Sequence, residues 1–297
     1  MDRPLTTVFG GTGFLGNSIA SELAALGSRV RIAARRPRRP EWATDREAVE
    51  LMTADIREDD SVARAVTGAT SVVNAVSLYV PSRRHGSFED IHVHGAARIG
   101  RAARAARATR LVLVSGLGVD PHSRSAYVRA RMDGETVTRK AFPGTVAVRP
   151  SVLFGPDDAF LTTLVRIARL PVIPLFGRGD VRLQPVLVDD VAKAVARLAR
   201  GAGGTHKVFA LGGAEVYTYR EIVSLVLDSL GRKRPLVPVP FPVWQALALP
   251  LKVLPNPPLT VDQVRLMEQD NVVAGNFGRF EDLDIAPESL AGYLSRA

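Results

Sequence analysis

Short, nearly continuous apolar runs alternate with stretches of helical spacing through the first 150 residues. That alternation predicts an α/β architecture with a parallel, doubly wound sheet. The strand candidates are Thr6–Phe9, Arg29–Ala33, Val49–Ala54, Ser71–Val76, Arg110–Ser115 and Thr145–Arg149. Leu111-Val112-Leu113-Val114 is apolar at every position, as a strand covered by helices on both faces must be. Helical spacing covers Phe14–Leu26, Ser61–Val66, His92–Arg107 and Tyr127–Ala141, and Lys207–Leu211 reads as one more strand returning to the same sheet.

Proline changes the pattern after the sixth strand. Pro150, Pro156, Pro171 and Pro174 interrupt the chain, and a second cluster spans Pro235 to Pro258. Thr218-Tyr219-Arg220-Glu221 is a capping box opening a helix that carries Ile222, Val223, Leu225 and Val226. Two regions are expected: a nucleotide-binding sheet domain over 1–150, to which 186–211 returns, and a smaller, mostly helical substrate or docking region from 151–185 and 212–297. Val243–Leu254 is strongly apolar, but at 12 residues broken by Pro250 it is too short to span a bilayer. It is a candidate docking surface.

Composition narrows the classes. The 297 residues are 46% hydrophobic and 23% charged, as in a folded globular chain. The absence of cysteine excludes disulfides, thiolate nucleophiles and Cys-based metal sites. The first strand-like segment begins almost at once, with no basic and apolar leader before it, so a cytoplasmic location is expected, or a peripheral one at the inner face of a membrane. The net charge of +9 is mostly arginine. Arg101, Arg104, Arg107 and Arg110, three apart, read as a solvated helical face, and no nucleic-acid motif accompanies them.

The chemistry begins at Gly10-Gly11-Thr12-Gly13-Phe14-Leu15-Gly16, directly after the first strand and opening the first helix. This G-x-x-G-x-x-G spacing is a dinucleotide fingerprint of the Rossmann type. Gly10 permits the turn, Gly13 lets backbone amides approach a pyrophosphate, and Gly16 lets helix and strand pack closely. The helix N-terminus adds unpaired donors and the positive end of its dipole. At the end of the second strand, where a carboxylate would hold an NAD ribose, stand Arg35 and Arg36, which suit the 2′-phosphate of NADP(H). The alternative is that both simply belong to a basic surface loop, Arg35–Arg39. Asp55 and Ile56 close the third strand beside the expected adenine, and Ala75 and Val76 close the fourth beside its ribose.

Together with Asn74, Ser115, Tyr127-x-x-x-Arg131 and Arg149-Pro150-Ser151-Val152-Leu153-Phe154-Gly155-Pro156, these motifs resemble the extended and atypical short-chain dehydrogenases. Gln184-Pro185-Val186-Leu187-Val188-Asp189-Asp190, Leu259–Val264 and Asp270-Asn271-Val272-Val273 look like the branch that includes the NADPH-binding accessory subunit of respiratory complex I and its bacterial relatives. The resemblance implies a Ser–Tyr–Lys catalytic set. Ser115 and Tyr127 match it; the lysine position is Arg131, which keeps the charge but not the geometry of an ammonium. Cofactor contacts are implied for Gly10, Thr12, Gly13, Phe14, Leu15, Gly16, Arg35, Arg36, Asp55, Ile56, Ala75, Val76, Ser115, Tyr127, Arg131, Pro150 and Val152. His92 and His94 follow Glu89 and Asp90, but the segment matches a structural helix of the family rather than a metal site. Asp189 and Asp190 are expected to cap a helix.

Three functions follow. One is an NADP(H)-binding protein whose cofactor is structural and whose surface docks on a respiratory or other membrane-associated complex. The second is an active NADP(H)-dependent carbonyl reductase or alcohol dehydrogenase using Tyr127 on a small substrate. A sugar-nucleotide epimerase or dehydratase cycling NAD fits least, because Arg35 and Arg36 point away from NAD.

Overall fold

The computed structural model describes residues 3–296 apart from Arg46, Arg83, Lys252, Val253, Pro255, Asn256 and Pro258. In chain order the first half runs β1 (Leu5–Phe9), α1 (Phe14–Ala25), β2 (Arg29–Ala34), β3 (Val49–Thr53), α2 (Asp59–Val66) and β4 (Ser71–Asn74). A π-helical segment, Glu89–Gly95, then runs straight into α3 (Ala96–Ala105), followed by β5 (Arg110–Val114), α4 (Ala126–Ala141) and β6 (Thr145–Pro150). The remainder contains β7 (Leu153–Phe154), α5 (Ala159–Ile167), β8 (Ile173–Phe176), β9 (Arg182–Leu183), β10 (Val186–Leu187), α6 (Val188–Arg200) and β11 (Val208–Leu211). It ends with β12 (Tyr217–Thr218), α7 (Tyr219–Ser229), β13 (Leu236–Val239), α8 (Phe241–Leu251), α9 (Val261–Leu266) and α10 (Leu290–Leu294).

Seven strands form one sheet in the order β11-β6-β5-β4-β1-β2-β3, and every pairing in it is parallel. This is the doubly wound Rossmann arrangement. Strand order reverses between β1 and β4, which opens a crevice at their carboxyl ends, the usual ligand site of such sheets. One face is buried under α1 and α6, through Ile19, Leu23, Val191, Val195 and Leu198. The other face lies under α2 and α3, through Val62, Val66, Ile99 and Ala103. All nine residues are at most 2% exposed, which explains why the strands between them read as unbroken apolar runs.

A separate core gathers Phe154, Leu161, Ile173, Leu175, Ile222, Val226 and Leu290. Helices dominate this part, but it also holds three two-stranded pairings, β10–β7, β12–β9 and β13–β8, which the proline-rich sequence did not announce. The capping box is formed as expected: the Thr218 Oγ1 accepts from the Glu221 amide, and the Glu221 carboxylate accepts from the Thr218 amide.

Two expectations need correction. Neither Asp189 nor Asp190 caps α6, because the helix starts at Val188 with Leu187 as its cap. Asp190 instead accepts from the Glu288 amide at 2.8 Å and from Lys193 at 3.1 Å, tying the C-terminal segment to α6. Nor do the four arginines share one helical face. Arg101 and Arg104 lie in α3, Arg107 sits beyond its end with φ +57°, and Arg110 begins β5.

Candidate dinucleotide site

The residues singled out along the sequence line up along the carboxyl edge of the sheet. Asp55 and Ile56 follow β3, Arg35 and Arg36 follow β2, the glycine turn follows β1, Ala75 and Val76 follow β4, and Ser115 follows β5. Pro150 ends β6, and Val152 sits two residues beyond, its carbonyl accepting from the Val186 amide.

The turn itself is tight. Gly10 has φ +79°, a conformation that penalises any Cβ, and a Cβ there would press on the Ala75 and Val76 backbone at 3.0 Å. Its amide donates to the Ala33 carbonyl, and its own carbonyl accepts from Gly13. A Cβ on Gly16 would collide with that same Gly10 carbonyl. Gly13 is different: beyond the Gly10 carbonyl at 3.3 Å, a Cβ there would meet nothing, so the space in front of it is open. Gly13 is also the N-cap of α1 and offers no side chain to the first-turn amides. Thr12, Gly13 and Phe14 are exposed, whereas Leu15 and Gly16 are buried. The result is a bare helix N-terminus behind a glycine shelf, which fits a pyrophosphate.

At the β2–β3 end of this edge, Arg35 and Arg36 are exposed and, among the described residues, neither makes an ion pair or a side-chain hydrogen bond. Asp55 is already held: Arg57 grips both carboxylate oxygens, at 3.0 Å to Oδ1 and 2.5 Å to Oδ2, and its amide donates to Oδ1 as well. These bonds hold the Asp55 carboxyl below the usual carboxylate range, with a further contribution from the Arg35 charge. Ile56 is core, and its carbonyl accepts from Arg98 at 2.8 Å.

The other end of the groove is organised differently. Arg131, on α4, is 7% exposed and turns its guanidinium into the fold. It donates to the Ser115 carbonyl, to the Val114 carbonyl at 3.3 Å and to the Ser77 Oγ at 3.1 Å. Its Nε and the Ser115 Oγ are both buried without a partner among the described residues. Both residues, with Asn74, Val76 and His92, line a cavity of about 10 Å³, room for one water.

Tyr127 lies one helical turn before Arg131, whose guanidinium carbon is 5.3 Å from the phenol ring centroid. Tyr79 stacks on that ring at 5.4 Å, and Phe88 and His92 meet it edge-on at 5.6 and 5.5 Å. Burial pushes the Tyr127 phenol above its ordinary pKa, and the Arg131 charge only partly opposes the shift. A working proton donor needs the opposite, a value brought down toward the pH of operation.

His92 belongs to the π-helical segment, a feature that helix spacing alone does not reveal. Its Nε2 faces both the amide and the carbonyl of Leu78, at 3.3 and 3.1 Å. Burial, helped by the Arg131 charge, lowers its pKa to about 3, so the ring is neutral. The helices meet closely here, because a Cβ on Gly134 would strike the His92 carbonyl.

Sequence reading missed the aromatic wall of Tyr79 and Phe88, since an aromatic in a loop and one at a helix start carry no pattern between them. It found the C-terminal motifs without seeing that they meet. The Ser151 Oγ donates to the Asn271 Oδ1 at 2.7 Å, Gln184 donates to the Gly213 carbonyl and accepts from the Val273 amide, and Arg182 pairs with Asp270 at 2.6 Å. These segments form a polar seam that fastens the C-terminal part to the end of the sheet.

The fold and the glycine shelf define a short-chain dehydrogenase-type nucleotide-binding framework. Residues 6–212 match the model of the NAD dependent epimerase/dehydratase family, and the chain belongs to that family. It is 32% identical over 97% of its length, and 76% of the relative's, to the mitochondrial NADH dehydrogenase [ubiquinone] 1 alpha subcomplex subunit 9 of Arabidopsis thaliana. It is also 32% identical to the ceramide reductase of Caulobacter vibrioides, over 81% of this chain and 75% of that one. Among solved structures, the Thermus thermophilus UDP-glucose 4-epimerase in complex with NAD shares the fold with a TM-score of 0.62, 22% identity, and coverage of 80% of this chain and 86% of that one. The chain is therefore an extended short-chain dehydrogenase relative of the complex I subunit.

Proposed function

We propose that this protein holds NADP(H) as a structural cofactor, with little or no turnover, and docks on a respiratory or other membrane-associated complex. The amides that open α1 would hold the pyrophosphate, with Gly10, Gly13 and Gly16 giving it access. Arg35 and Arg36 would take the 2′-phosphate, and Ala75, Val76, Pro150 and Val152 would flank the adenosine ribose and the nicotinamide. A nicotinamide cofactor supplies hydride chemistry when bound; the residues beside it decide whether that chemistry is used.

The carrying observation is the state of Arg131. In a Ser–Tyr–Lys set the cation stands free to lower the tyrosine pKa. Here three of its contacts are spent on the Val114 and Ser115 carbonyls and the Ser77 hydroxyl, while the Tyr127 phenol is raised by burial. The likeness to a complex I subunit over nearly the whole chain supports the same reading. A ligand that binds only the native state adds stability without any reaction.

A second reading has a specific observation behind it. The Ser115 Oγ is unpartnered among the described residues beside Arg131, and a ceramide reductase is 32% identical over 81% of the chain. In that case Tyr127 would give its proton to a substrate carbonyl oxygen as hydride reaches the carbonyl carbon.

Calorimetry tests the cofactor assignment. Wild-type protein should prefer NADPH to NADH by about ten- to a hundredfold, the worth of one charge-assisted bond. The Arg35→Ala/Arg36→Ala double variant should lose that preference while still binding NADH, and a preference left intact would refute the assignment.

A further inference from the structure

The ends of β2 and β3 bring a carboxylate and an unpaired cation side by side. The two strands are parallel neighbours, with Ala34 opposite Thr53, and the Ala54 amide donates to the Ala34 carbonyl at 2.9 Å. Arg35 and Asp55 are the next residues along these two adjoining strand ends. The Arg35 charge accordingly contributes to holding the Asp55 carboxyl low. Opposite charges so placed attract, and an Arg35 drawn onto Asp55 is lost to any incoming anion. A bare Asp55 carboxylate would also repel a phosphate outright.

Arg57 prevents both. Its Nη2 donates to the Asp55 Oδ2 at 2.5 Å, and its Nε and its amide each donate to Oδ1 at 3.0 Å. A guanidinium fork on a carboxylate is a strong and geometrically specific form of ion pair. The Asp55 side chain is only 16% exposed, so this pair is screened less than one standing free in solvent. The fork is braced from the loop that follows β4. The Arg57 Cδ lies 3.7 Å from where a Gly86 Cβ would stand, and its Nη1 reaches the Arg84 carbonyl at 3.5 Å. Glu58 and Asp90 also feel the Arg57 charge, but the Asp90 carboxylate already accepts from the Ser87 amide at 2.8 Å. Asp55 and Arg57 therefore cancel, and Arg35 and Arg36 keep their two charges for a ligand.

We propose that Arg57 is a specificity-determining positioning residue for the dinucleotide. By occupying both oxygens of Asp55, it keeps that carboxylate from capturing Arg35 and from repelling a 2′-phosphate. It thus favours NADP(H) over NAD(H) without itself meeting the nucleotide. The inference rests on the reading of Arg35 and Arg36 as the 2′-phosphate ligands. Any contact between Asp55 and the adenine amino group is common to both dinucleotides, so it cancels in the ratio of their affinities.

Calorimetric titration of the full chain with NADPH and with NADH reads that ratio. Arg57→Met keeps a stem against Gly86 and removes the fork. The preference for NADPH should fall about tenfold through weaker NADPH binding, while NADH affinity stays within about twofold and serves as the folding control. Asp55→Asn/Arg57→Met should regain most of the preference, because a neutral amide neither holds Arg35 nor repels phosphate. Arg57→Lys, which restores the charge without the fork, should fall between Arg57→Met and wild type. A preference left intact in Arg57→Met would overturn the proposal. So would equal weakening of both nucleotides, the mark of a merely loosened loop. A loss that Asp55→Asn does not restore would also overturn it, since Arg57 would then meet the phosphate itself. The two readings fail in different patterns. Preference abolished by Arg35→Ala/Arg36→Ala but kept by Arg57→Met rejects the role of Arg57 alone; the opposite pattern rejects the phosphate reading and the positioning role with it.

Discussion

The two ends of the groove are built from the same sheet edge and finished in opposite ways. At the glycine turn the backbone is left bare: no side chain caps α1, the space before Gly13 is open, and Arg35 and Arg36 stand exposed. At the other end the Arg131 guanidinium is turned inward and fastened to the Val114 and Ser115 carbonyls, with the Tyr127 ring beside it and stacked on Tyr79. A binding end needs unsatisfied donors facing outward; a reacting end needs a proton donor of tuned pKa within reach of substrate. The glycine turn has the features of the first; at the other end burial raises the Tyr127 phenol rather than lowering it.

The sharpest way to break the comparison is at the shelf. Gly16→Ala drives a Cβ into the Gly10 carbonyl, a backbone group that cannot move aside without opening the turn. Titration should show NADPH affinity reduced by about a hundredfold or more, and the melt should show about 1–3 kcal/mol of lost stability from overpacking. The reacting end should respond in stability alone. Arg131→Ala removes the donor shared by the Ser115 and Val114 carbonyls and should cost about 2–3 kcal/mol in denaturant unfolding, as charge-assisted bonds to buried acceptors do. A loss confined to catalysis, with stability unchanged, would assign Arg131 a chemical role instead.

The smallest effect concerns His92. Its folded pKa of about 3 lies below its ordinary value of 6.5, so between those limits the unfolded chain takes up a proton that the native state refuses. Stability must then fall as pH drops from about 6.5 toward 3, by up to roughly 1.4 kcal/mol per pH unit for one proton. His92→Asn should remove that one-proton slope from the pH dependence of unfolding.

Much of this was legible in the sequence where one local rule governs. Parallel strands buried on both faces must be apolar throughout, so all seven central strands showed themselves within a residue or two, as did the Thr218 capping box. The glycine spacing located the shelf because only glycine satisfies φ +79° at Gly10 and the close approach at Gly16. What stayed hidden depends on tertiary choice. Four-residue spacing put Tyr127 and Arg131 on one face, but not the rotamer that sends the guanidinium to the Ser115 carbonyl. Aspartate at a strand-to-helix junction looked like a cap, yet the Glu288 amide, 98 residues away, claimed Asp190. The π-helical Glu89–Gly95 segment arises where Gly134 lets α4 come against the His92 carbonyl, a contact between distant segments.

The account turns on whether the bound cofactor reacts. The direct measurement follows the absorbance of stoichiometrically bound NADPH while the purified chain is offered a panel of aldehydes, ketones and long-chain oxo compounds, ceramide precursors included. The account predicts a reduced cofactor that persists, identically in wild type and in Tyr127→Phe. Steady oxidation of NADPH by any of these substrates, abolished by Tyr127→Phe, would contradict it.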